Sequence, residues 1–240
     1  MSRSQQEILD AAAECFMRMG PDVASIDDIA GLLGATKGRI YHHFRSKGEL
    51  LYAVRLRSVS LLMEKVSPIA AQDLPPIEKL RAMSTAHVMR ILQFLSYHRV
   101  VSEDTRMFFR GSAKPHEKEM IQKIIELRRA YENLYRGVLS EGIEAGVFAK
   151  QSISITLHSI IILMNGPCFW YSPRLNRPTK TWKRSPVASL IWFYAPYWLS
   201  QPFERGITCV GDGDNPFTLI CALLCAISRF SARFCKTAMP

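Results

Sequence analysis

Apolar side chains recur along the first two-thirds of the chain at intervals of three and four, the period of amphipathic helices. In the first run Ile8, Leu9, Ala12, Ala13 and Phe16 form one stripe, which predicts a helix from about Ser4 to Met19, stopped at Gly20-Pro21. A shorter run carries Ile26, Ile29, Ala30 and Leu33 at i, i+3, i+4 and i+7. Ser25 precedes it and Asp28 follows three residues on, an acidic version of the capping box. Gly34 permits the positive φ that ends a helix, and Thr36 stands where an N-cap would open the next. There Ile40 and Phe44 make a buried i, i+4 pair. At 100° per residue the opposite face holds Gly38, Arg39, His42 and Arg45, with Tyr41 at its edge. Ser46-Lys47-Gly48-Glu49 has capping-box spacing and opens a fourth helix, running through Leu62 to about Val66. Pro68 and then Pro75-Pro76 break the pattern.

The same period predicts a helix from about Ile77 to Tyr97, a shorter segment from Val100 to Phe109, and a long helix from Pro115 to about Ala145. The next, from about Ser152 to Asn165, is apolar on more than one face. Such a helix must be covered on both sides, by the core on one and a partner subunit on the other. Beyond Arg177 the pattern dissolves into recurrent prolines with Trp182, Trp192 and Trp198 between them. Val187 to Tyr194 could begin a final helix, which Pro196 would end within a few turns. The fold class is therefore all-α. Three segments follow: residues 1–57, with a helix-turn-helix at about 25–44; residues 58–177, a second helical domain; and residues 178–240, an irregular Pro/Trp-rich tail.

Charge changes this picture from a fold to a function. The chain of 240 residues carries a formal net charge of +10, which suits a polyanionic partner. Its distribution says more. Lys37, Arg39, Arg45, Lys47, Arg55 and Arg57 fall between positions 36 and 57 against the single acid Glu49, while Glu7, Asp10, Glu14, Asp22, Asp27 and Asp28 sit on the two preceding helices. A helix-turn-helix places its second helix in the major groove of DNA, its first residues at base edges. The expected DNA contacts are accordingly Thr36, Lys37, Gly38, Arg39, Tyr41, His42 and Arg45, with Lys47 beside the amino end of the fourth helix as a phosphate contact. Partners of the chain are then a double-stranded operator and, through the apolar helix near residue 160, a second copy of itself.

The runs Ile8 to Phe16, Ile26 to Ala30 and Lys37-Gly38-Arg39-Ile40-Tyr41-His42-His43-Phe44-Arg45-Ser46-Lys47 resemble the TetR family of transcriptional regulators, in uninterrupted register over roughly the first 57 residues. That resemblance implies an N-terminal three-helix DNA-binding domain followed by an α-helical ligand-binding and dimerisation domain. It also implies a repressor released from its operator by a small-molecule effector. Residues that would line the effector pocket are His87, Arg90, Phe94, Arg106, Phe109, Tyr131, Tyr135, Asn165, Phe169 and Trp170. The stretch Asn165 to Tyr171 is similar to the end of the corresponding helix in members that sense acyl-CoA or lipid-degradation intermediates.

Other chemistries find little support. No nucleophile elbow, zinc-protease helix, phosphate loop or dinucleotide fingerprint occurs, so no catalytic residue, metal ligand or cofactor is expected. His42 and His43 are adjacent on a helix and point about 100° apart, so they do not chelate together. Six cysteines form no C-x-x-C pair, and the polar N-terminus is no secretory leader; the expected location is the cytoplasm, with no membrane partner. The alternative reading is an all-helical small-molecule-binding protein or enzyme whose helix-turn-helix is non-functional.

Overall fold

A computed structural model describes residues 1–102 and 115–172, and every described regular element is a helix. The order is α1 (Arg3–Met19), α2 (Ile26–Leu33), α3 (Lys37–His43), α4 (Lys47–Ala70), α5 (Pro76–Gln93), α6 (Leu95–Ser102), α7 (Pro115–Glu144), α8 (Ile153–Asn165) and α9 (Pro167–Trp170). Arg106, Phe109 and the tail from residue 178 onward lie outside the described residues.

The stripes read from the sequence close two apolar cores. Ile8, Phe16, Ile29, Ile40, Leu50 and Val54 meet in the first, so α1 to α3 and the start of α4 pack as one body. Leu61, Tyr97 and Val100 join that body from α4 and α6. The second core draws Val66, Met83, Ile91, Tyr135, Leu157 and Met164 from α4, α5, α7 and α8. Helix α4 therefore passes from one core into the other.

Two helix ends differ from the pattern, and the segment expected from Val100 begins at Leu95. Helix α4 runs through Pro68 to Ala70, beyond the expected end near Val66. Proline removes one backbone donor but keeps a helical φ, and Ile69 and Ala70 still pack against the second core. Helix α5 stops at Gln93, short of Tyr97, because Phe94 adopts φ −123° and ψ 46°. That bend turns Phe94 towards the first core and lays Tyr97 and Val100 there as well. Helix α7 ends at Glu144, where Phe148 folds back over Gly142. A Cβ at Gly142 would stand 2.1 Å from the Phe148 ring, so only glycine admits this closure.

Helix α8 buries Thr156, Leu157 and Met164 and leaves Ile155 and Ile162 exposed at 70% and 69%. The expected second apolar face is thus open in the single chain.

Candidate functional site

The helix-turn-helix is assembled by caps. The Ser25 hydroxyl accepts from the Asp28 amide at 3.1 Å, and the Asp28 carboxylate accepts from the Ser25 amide at 2.8 Å. Hydrogen bonds from the Ser25 hydroxyl and amide hold the Asp28 carboxyl below its ordinary range. Gly34 closes α2 in the left-handed region at φ 65°, and Thr36 opens α3 by its backbone, without a side-chain bond. Ile40 is fully buried and Phe44 nearly so, which orients α3 about one axis. Its outward face then presents Lys37, Gly38, Tyr41 and His42, flanked by Thr36 and Arg45. Tyr41 is a large ring left 51% exposed on this face. Lys37 pairs with Asp27 across the turn at 3.3 Å.

Besides Lys37, two of the expected DNA contacts have partners within the chain. Arg39 turns back to α1: its Nε donates to Ser4 Oγ at 3.2 Å and its Nη2 to Glu7 Oε2 at 2.5 Å. The Arg39 hydrogen bond, with Arg3 assisting, keeps the Glu7 carboxyl below the usual carboxylate range. His43 Nε2 lies 3.2 Å from the same Ser4 hydroxyl. Lys47 donates through Nζ to the carbonyls of Asp22 at 3.2 Å and Ala24 at 2.9 Å, tying the start of α4 to the loop after α1. At that start the Ser46 hydroxyl caps the Glu49 amide at 3.0 Å, while the Glu49 carboxylate reaches past Ser46 to the Arg45 amide at 2.6 Å. Ser4, Glu7 and His43 were not legible as anchors, since Ser4 and Arg39 are 35 residues apart and no local pattern links them.

Among the predicted effector residues, four come together. His87 is buried, with Nδ1 2.7 Å from Tyr131 Oη; Tyr131 Oη lies 3.3 Å from Tyr135 Oη, and Tyr135 faces Met164 Sδ at 3.8 Å. The buried Nε2 of His87 makes no hydrogen bond of ordinary length, and Asn165 is its polar neighbour. Burial pushes His87 down to about 4, against a small opposing pull from Asn165, and pushes both phenols up. The cluster is therefore polar and uncharged at neutral pH.

Arg90, Phe94, Phe169 and Trp170, the other described residues of the predicted set, are engaged or exposed elsewhere. Arg90 straps α5 to α4, donating from Nε to Leu61 O at 3.0 Å and pairing with Glu64 at 3.5 Å. Its guanidinium also covers the Phe94 ring at 4.6 Å. Phe169 and Trp170 are exposed. A separate open groove of about 520 Å3 lies between α4, α5 and α7, where Lys79 pairs with Glu141 at 3.2 Å; it shares no residue with the predicted set. Among the described residues no group of three His, Cys, Asp or Glu side chains could hold a metal ion.

Comparison with known proteins places both halves in one family. Residues 8–54 match the family model for bacterial regulatory proteins of the tetR family, and residues 73–174 match the tetracyclin repressor-like C-terminal domain. The chain is 27% identical over 158 residues to the HTH-type transcriptional repressor KstR2 of Rhodococcus jostii (strain RHA1), covering 65% of this chain and 72% of that protein. The crystal structure of the TetR family transcriptional regulator PfmR from Thermus thermophilus superposes with a TM-score of 0.66 at 25% identity, over 81% of this chain and 99% of PfmR. FadR from Bacillus subtilis, solved in complex with stearoyl-CoA, shares the fold with a TM-score of 0.59 at 21% identity, over 82% of this chain and 99% of FadR. An exposed cationic recognition helix on a three-helix core, two matching domain models and a shared fold lead to one statement: this chain belongs to the TetR family and is a DNA-binding transcriptional regulator.

Proposed function

We propose that the chain is a cytoplasmic, dimeric repressor that a small-molecule effector, an acyl-CoA thioester, releases from its operator. The observation that carries the DNA half is the outward face of α3. Burial of Ile40 and Phe44 commits Lys37, Gly38, Tyr41 and His42 to solvent together, the arrangement a major groove accepts. Thr36 and Arg45 extend that face, and Lys47 and Arg39 serve where the helices meet the backbone.

The dimer half rests on α8 and α9. Ile155, Ile162, Leu163, Phe169 and Trp170 are exposed large apolar side chains, and a second copy meeting this face would cover them. The stretch Ile153–Trp170 is also long and apolar enough to cross a membrane by length and composition. Leu157 and Met164 are nevertheless buried in the second core, and Gly166-Pro167 divides the stretch. That suits a subunit face better than a lipid one.

The effector half rests on the uncharged cluster of His87, Tyr131, Tyr135 and Asn165. A carboxylate placed there would lose its hydration with no cation to replace it. A thioester or ester carbonyl needs only a donor. FadR was solved in complex with stearoyl-CoA, and stearoyl-CoA is therefore the first probe here.

The test uses a duplex selected by the protein from random sequence. Binding should fall steeply and linearly in log–log form with salt. Stearoyl-CoA should release the duplex at concentrations where stearate does not. Release by both alike would overturn the thioester reading, and failure to select any duplex would overturn the operator reading.

A further inference from the structure

Helix α6 is bonded at neighbouring positions to opposite ends of the described chain. At one, Tyr97 Oη donates to Asp10 Oδ1 at 2.6 Å and accepts from Gln6 Nε2 at 3.1 Å; Gln6 also donates to Asp10 at 2.8 Å. These residues are on α1, and Tyr97 and Val100 are buried in the first core. At the other, Arg99 Nε donates to the carbonyl of Cys168 at 3.0 Å and Nη2 donates to the carbonyl of Tyr171. Its Nη1 lies 3.9 Å from Met17 Sδ, again on α1. One guanidinium thus holds the last turn of α9 against the DNA-binding body.

That turn is the continuation of the effector cluster. Asn165, the polar neighbour of His87, ends α8, and α9 begins two residues later at Pro167. A helix of four residues has too few internal bonds to persist alone, so its position depends on its contacts. Arg99 supplies two of them, both to carbonyls at the carboxyl end, where a cation is favoured. Helix α4 joins the two bodies as a continuous rod. The α9–Arg99–α6–α1 route joins them at one end by the Arg99 hydrogen bonds to α9, which a small displacement breaks, and at the other by the Tyr97 hydrogen bonds and the buried packing of α6 on α1.

We propose that Arg99 is the positioning residue that couples effector to operator, by latching the α8–α9 end to α1 through α6. The proposal rests on the effector reading above. An effector that moves Asn165 shifts Pro167 to Tyr171, withdraws the carbonyls from Arg99 and lets α6 and α1 move together.

The test measures three quantities for wild type, R99A, R99K and Y97F: duplex affinity alone, stearoyl-CoA affinity alone, and duplex affinity in saturating stearoyl-CoA. Wild type should lose about 5–150-fold in duplex affinity when the acyl-CoA is present. R99A should keep each separate affinity within about threefold while that loss shrinks towards onefold. R99K should be intermediate, since one ammonium lacks the fork that spans two carbonyls. A merely structural role would lower the separate affinities and leave the ratio unchanged. R99A with the wild-type ratio overturns the proposal. Should R99A not fold, Y97F breaks the α1 end of the same route while keeping the ring, and it should show the same reduced ratio; an unchanged ratio there also overturns it. If wild type does not bind stearoyl-CoA, the effector reading fails and the latch is read by amide exchange instead. Duplex binding should then change protection at residues 166–171 in wild type and not in R99A, and no change in wild type overturns the latch.

Discussion

Tyr41 and His42 are exposed on α3 next to Ile40, which is fully buried, so neighbouring positions of one short helix face solvent and core in turn. A side chain that reaches base edges changes sequence preference as well as affinity. Tyr41→Ala and His42→Ala should each weaken the selected duplex by ~1–3 kcal/mol and relax preference at particular positions. Lys47→Ala should weaken all duplexes alike and lower the salt slope by about 1. Repeating the duplex selection with each variant separates the two behaviours. The buried imidazoles act on stability instead. His87 is held down to about 4 and His98 to about 3, both chiefly by burial, against 6.5 for an ordinary histidine. Between those values and 6.5 the unfolded chain binds protons that the folded chain refuses. Stability should therefore be full above pH 6.5 and fall as pH drops below it, by about 1.4 kcal/mol per pH unit for each imidazole. Urea midpoints from pH 7.5 to 5 check this, and His87→Gln should flatten the profile.

At the scale of elements, α2 is bounded at its two ends by residues with no apolar role. Ser25 exchanges bonds with Asp28 at the start of α2, and Gly34 ends it at φ 65°. Ser25→Ala should cost about 1 kcal/mol through the lost cap. Gly34→Ala should cost about 1–2 kcal/mol through the left-handed backbone, and Gly34→Asn less, since asparagine tolerates that region. Chemical unfolding reads both, and equal losses for alanine and asparagine would show that the backbone is not the cause. Elements elsewhere obeyed packing over local preference. Pro68 did not end α4, because Val66 before it and Ile69 and Ala70 after it pack in the second core. The periodic stretch around Phe94 did break, and after the bend Tyr97 bonds to Asp10 and Gln6 on α1.

At the scale of the whole molecule, an operator dimer needs its two recognition helices ~34 Å apart to enter successive major grooves. The open face of α8 and α9 is where that spacing would be set. Ile162→Glu should yield a monomer by sedimentation and lower duplex affinity sharply, while the chain stays helical by circular dichroism. A dimer that survives the charge would place the subunit contact elsewhere. An effector that favours any other spacing competes with DNA, and linkage makes the effect mutual. Stearoyl-CoA affinity by calorimetry should therefore fall by about 1–3 kcal/mol in saturating duplex. Equal affinities would mean that the second domain is no switch.

Much of this was determined by the chain alone. The apolar stripes of α1 to α3, the caps at Ser25 and Ser46 and the basic stretch after Thr36 are local patterns: each depends on residues within one or two turns, where spacing and geometry are the same thing. The pairing of His87 with Tyr131 was half-legible: the family resemblance put both in the effector pocket, but no spacing joined them to each other. What only tertiary structure decided are contacts between distant positions. Arg39, expected at the groove, has Ser4 and Glu7 as its partners within the chain; Arg90, expected in the pocket, straps α5 to α4; Arg99 carried no signal and bridges α6 to α9. An arginine reaches far along several rotatable bonds, so helical period places its Cα but not its guanidinium. Which carbonyl or carboxylate it finds depends on how the helices pack, and the pattern along one helix holds no record of its neighbour.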